Sequence, residues 1–94
     1  MGTEEFIEKC KNIIGDYLLK TGTTIKKESI FVVWSCKILQ NNKALLSTNL
    51  KDGMYYEITY NGDKKELYLD AYKKLENICY EIYEIGGGLK NEKR

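Results

Sequence analysis

Histidine is absent from the 94-residue sequence. With it go an imidazole base, a His-activated nucleophile and a common metal ligand. Cysteine is scarce: Cys10, Cys36 and Cys79 are odd in number and widely spaced. No pair has metal-site spacing, and each falls on or beside an apolar stripe. They read as small buried hydrophobes in a reducing compartment. No glycine-rich phosphate loop is present. "YNGDKKE" has Gly and Lys without the spacing that wraps a phosphate, and "GGG" at 86–88 follows a periodic segment rather than opening one. The carboxylates Glu57, Asp63, Glu66 and Asp70 fall at turns and outward strand positions, where solubility, capping and turn formation account for them. The chain reads as a non-enzymatic protein with no cofactor and no metal.

Long apolar runs are also missing. A stretch such as "IFVVW" is far too short to span a membrane. "MGTEEFIEKC" is acidic where a signal peptide is basic and apolar, and Phe6 stands where a myristoylation site needs Ser or Thr. The reading is a soluble, cytoplasmic protein with no membrane partner. Nor is there an excess of one charge: fifteen basic residues face fourteen acidic ones. A nonspecific nucleic-acid binder relies on a long-range positive field, which this balance does not supply.

What is present is 43% hydrophobic residues, enough for one modest core in one domain. Phe6, Cys10, Ile13, Ile14, Tyr17 and Leu18 recur at helical spacing. They predict a helix from Thr3, as N-cap, to Leu19 or Lys20, with Gly22 at its exit and Gly15 placed for close approach to a sheet. "SIFVVWSCKIL" is the strongest strand signal. Strict alternation directs Ile30, Val32, Trp34, Cys36 and Ile38 one way and Phe31, Val33, Ser35, Lys37 and Leu39 the other. "QNNK" predicts a turn and "ALLST" a short second strand. Asp52-Gly53 predicts another turn, and Met54, Tyr56, Ile58 and Tyr60 one face of a third strand. Asn61-Gly62 predicts a type I′ hairpin, with positive φ at both central residues, leading into "KELYL". Ala71, Leu75, Ile78, Ile82 and Ile85 then predict a second helix, capped by Asp70 and ended by the three glycines.

The predicted fold class is therefore α+β, in the order α-β-β-β-β-α: a four-stranded antiparallel meander sheet packed with two amphipathic helices. Residues 1–85 form the compact domain, and 86–94 a Gly-rich linker and polar tail.

Eight tyrosines remain to be placed. Tyr17, Tyr56 and Tyr60 suit the core or its rim. Tyr55 and Tyr68 project from the opposite sheet face and, on paired strands, come close together. With Phe31, Lys37 and Glu57 they outline a candidate partner-binding patch, since aromatics dominate interface hot spots. Cross-strand stabilisation of the sheet is the competing reading of the same tyrosines.

The segment "VVWSCKILQNNKALLST", followed by "DGMYYEITYNGDKKELYLDAYKKLEN", resembles a family of small phage and prophage proteins of unknown function from low-GC Gram-positive bacteria. The resemblance covers roughly residues 30–77. It implies no activity and no ligand residues. It does imply a setting, the cytoplasm of a host cell. There, small phage proteins without catalytic residues often act stoichiometrically on host or defence proteins, CRISPR effectors among them. The leading expectation is a counter-defence inhibitor that binds a host or defence protein. A second is an oligomer that sequesters a nucleotide between aromatics and Lys37, Lys64 or Lys65, and an accessory domain that forms a homodimer through its sheet is compatible with the same features. A nucleic-acid-binding module is the weakest of the three.

Overall fold

The computed structural model describes residues 1–83 and the backbone of residues 89–92. Helix α1 spans Thr3–Lys20 and buries Phe6, Cys10, Ile14 and Leu18 along the stripe that the sequence marks. Its N-cap is Gly2 rather than Thr3, and no side chain caps it. Glu4 and Glu5 occupy the first turn, where the helix dipole favours them. The C-terminus closes as a Schellman motif: Thr23 N–H donates to the Leu18 carbonyl at 2.9 Å and Gly22 N–H to the Leu19 carbonyl at 3.1 Å. Gly22 takes φ +92°, which an L side chain resists.

After a 3₁₀ turn at Lys27–Ser29 come β1 (Ile30–Ile38), β2 (Asn41–Thr48), β3 (Met54–Asn61) and β4 (Glu66–Lys73). They form one antiparallel sheet in the order β1-β2-β3-β4, the expected meander. Helix α1 lies on one face, over Ile30, Ala44, Leu46, Tyr56 and Ile58, and these side chains close the core. Tyr17 meets Tyr56 edge to face, with ring centroids 5.9 Å apart. Asn42 is buried in the same layer, and its side-chain amide has no protein partner.

The turns differ from the sequence reading. The first hairpin turns at Leu39–Gln40, with Leu39 at φ 55°, so the asparagines of "QNNK" belong to β2. Asn61-Gly62 does not form a type I′ turn, because neither residue has positive φ; Lys65 does, at φ 54°. Instead the Asn61 side-chain oxygen accepts from the N–H groups of Asp63 and Lys64 at 3.1 and 3.2 Å. Glycine is required at position 62 for space: a Cβ there would lie 2.2 Å from the Gln40 carbonyl oxygen.

Two larger corrections concern the architecture. No second helix forms among the described residues. β4 runs on through Ala71, Tyr72 and Lys73, paired with Tyr56, Tyr55 and Met54. Lys74–Ile78 is a link, and β5 (Cys79–Ile82) pairs antiparallel with β6 (Leu89–Glu92) in a separate two-stranded ribbon. Tyr72, Ile78, Tyr80 and Ile82 are aromatic or β-branched, and such residues favour strand over helix. The expected glycine terminator at 86–88, with the domain boundary drawn there, lies outside the described residues.

The second correction is in β1. Register shifts between Val32 and Trp34, leaving Val33 as the extra residue of a β-bulge. Ile30 and Val32 share the helix side, as alternation requires. Beyond the bulge every side chain changes face relative to that expectation, so Trp34, Cys36 and Ile38 join Phe31 on the side away from α1.

Candidate protein-interaction surface

No described element packs across the sheet face opposite α1. Register places its side chains in rows that cross all four strands. The first row is Phe31, Ser47, Tyr55 and Tyr72. The second is Trp34, Leu45, Glu57 and Asp70, and the third is Cys36, Lys43, Thr59 and Tyr68. Phe31 is 49% exposed, Trp34 41%, Tyr72 52% and Tyr68 54%, so the large side chains on the two edge strands stand in solvent. Tyr55 and Leu45, on the central strands, are half-buried by their neighbours.

Each position follows from a local cause. Ser47 holds the first row in place: its hydroxyl donates to the Met54 carbonyl at 2.8 Å, bracing β2 against the start of β3. The bulge brings Trp34 into the second row. The continuation of β4 past Asp70 brings Tyr72 opposite Tyr55. Lys43 lies 3.6 Å from Glu57, a partly exposed ion pair worth about 1 kcal/mol or less. The Tyr68 hydroxyl donates to Glu66, and this bond to the carboxylate raises the phenol's pKa. The face is thus apolar and aromatic at the end where β4 departs, and mixed in charge beyond.

Four of the five residues expected in the patch, Phe31, Tyr55, Glu57 and Tyr68, share this face. Lys37 does not: it pairs with Asn42 and takes the helix-side position. Tyr55 and Tyr68 are on one face but not adjacent. Tyr68 pairs with Thr59, four residues along β4 from Tyr72, or about 13 Å at a strand's rise. Tyr72 and Trp34 are the residues that sequence reasoning missed. For Tyr72, the unbroken alternation Tyr68-Asp70-Tyr72 was the available signal. For Trp34 there was none, because strict alternation cannot register a bulge.

Lys64 and Lys65 lie in the β3–β4 turn, at the end of the sheet opposite the Phe31–Tyr72 row. Among the described residues no three potential metal ligands cluster, and no helix is long and apolar enough to cross a membrane. What this surface offers chemically is apolar and aromatic contact with a polar margin, the composition of a protein-binding hot spot.

Comparison with curated proteins and with solved structures finds no match. A family model matches residues 7–82, from the first turns of α1 to the last residue of β5. That span holds every row of the open face, and by it the chain belongs to DUF6275, a family of unknown function.

Proposed function

We propose that the protein is a non-enzymatic binding module that acts stoichiometrically on another protein through the open face of its sheet. The observation that carries this reading is the exposure of Phe31 and Tyr72 at the two edges of a row that also holds half-buried Tyr55, with Trp34 exposed beside Phe31. A lone exposed aromatic needs no explanation, whereas Phe31 with Trp34 on one edge strand and Tyr72 with Tyr55 toward the other, all on one face of a small domain, mark an interaction site. A nucleotide-sequestering site is less well supported, because Lys64 and Lys65 stand at the far end from the aromatic row and Lys37 lies on the other face. The resemblance to phage and prophage proteins makes a host or defence protein the class of target.

The test is a plaque assay on host strains that each carry one defence system. Expression of the wild type restores plating in at least one strain. Tyr55→Ser/Tyr72→Ser, checked for cooperative unfolding, fails to restore it there. Equal restoration by the variant overturns the site, and no restoration in any strain overturns the counter-defence reading.

A further inference from the structure

The β5–β6 ribbon cannot stand alone. An isolated two-stranded hairpin is marginal in water, and three strands or a packed apolar face are needed to hold one. Among the described residues this ribbon has no third strand. It is joined to the body by the link Lys74–Ile78, whose last residue is 44% exposed, and Tyr80 and Ile82 fall at alternate positions of β5, hence on one side, at 50% and 69% exposure. It stands away from the rest of the chain. The radius of gyration is 17.0 Å, against about 12 Å for a compact domain of this length, and the longest extent is 49 Å. One chain therefore carries two uncovered apolar faces, the side of the ribbon and the open face of the sheet. The link to the ribbon leaves from Lys73, whose partner Met54 is next to the Tyr55–Tyr72 pair.

We propose that the ribbon is an exchange arm, and that its Tyr80–Ile82 side docks on the Phe31–Tyr55–Tyr72 row of a second copy of this chain. Sheet-on-sheet packing needs two apolar faces about 10 Å apart, which these supply. Because each copy has one arm and one face, a two-fold pair satisfies both contacts at once and closes. The family match reaches the end of β5, so the arm's first strand belongs to the shared domain. The inference rests on reading the open face as a protein-binding surface and names its occupant in the isolated protein. A target then binds by displacing the arm.

The experiment is light scattering coupled to size-exclusion chromatography on the full chain. Four samples are compared: the wild type, the arm variant Tyr80→Ser/Ile82→Ser, the face variant Tyr55→Ser/Tyr72→Ser, and an equimolar mixture of the two variants. The wild type elutes as a dimer. Each variant alone shows a two-fold lower mass. The mixture recovers a dimer, because the face variant's intact arm meets the arm variant's intact face. Recovery also shows that both variants are folded. A monomeric wild type overturns the proposal, and so does a dimeric arm variant. A dimeric face variant with a monomeric arm variant also overturns it, since the arms then pair with each other. Mixed variants that stay monomeric overturn it as well. Loss of target binding in the face variant with unchanged dimerisation defeats the exchange arm alone. Retained target binding in that variant defeats the reading on which it rests.

Discussion

Two glycines of this chain are used in opposite ways. A Cβ at Gly15, inside α1, would meet nothing within 4 Å, so glycine there is not a close approach to the sheet and only costs the helix backbone entropy. At Gly62 a Cβ would collide with the Gln40 backbone, where two hairpin turns touch. Gly15→Ala is therefore expected to stabilise by about 1 kcal/mol. Gly62→Ala is expected to destabilise by about 3 kcal/mol. Urea denaturation of both variants checks the contrast. Buried ionisable groups add a pH dependence. Burial pushes the Cys10 thiol up to about 12 and raises the Tyr56 phenol as well. The fold thus favours both neutral forms. The stability they supply is complete below the unfolded values of 9.0 and 10.0 and is lost as pH rises through and above them. Urea midpoints should fall steadily from about pH 9 toward about pH 12, with a shallower slope in Cys10→Ala. An identical slope in that variant would remove the thiol from the account.

At the scale of elements, the bulge at Val33 decides what the protein presents to its surroundings. With it, Trp34 stands beside Phe31 in solvent while Ile30 stays in the core. Val33 is the extra residue, so deleting it leaves the pairs on both sides facing as before. Deleting Ser35 instead moves Cys36, Lys37 and Ile38 to the opposite faces. The Val33 deletion should fold with a melting temperature within about 5 °C of the wild type, whereas the Ser35 deletion should lose cooperative unfolding. Comparable losses would mean that the bulge does not set the register. The same element shows what the sequence could and could not disclose. Helix α1 was legible because its stripe, its exit glycine and its polar flanks agree. The meander was legible because Asp52-Gly53 and the alternation through Leu69 agree. Trp34 was misplaced because a bulge has no compositional mark. The segment after Asp70 was misread because Ala71, Leu75, Ile78 and Ile82 fit helical spacing, while its tyrosines and isoleucines and the pairing available on β3 favour strand. Tyr72 was lost from the site by that same error.

At the scale of the whole molecule, a single helix among the described residues covers one side of a four-stranded sheet, and no described element covers the other. The chain's charges are nearly balanced, fifteen basic against fourteen acidic, so contacts at the aromatic end of that side are short-range and apolar rather than steered by a long-range field. Aromatic rows placed on such a side contribute little to the fold they belong to and a great deal to whatever covers them. The measurement that tests this most directly is affinity capture from a host-cell lysate read by quantitative mass spectrometry. The baits are the wild type, Tyr55→Ser/Tyr72→Ser, and Glu4→Gln/Lys9→Gln as a control on α1, away from the open face. The account predicts one host protein held by the wild type and by the control at about one copy per copy of bait, and released by the tyrosine variant. Equal capture by all three baits, or no protein enriched by the wild type over the tyrosine variant, would contradict it.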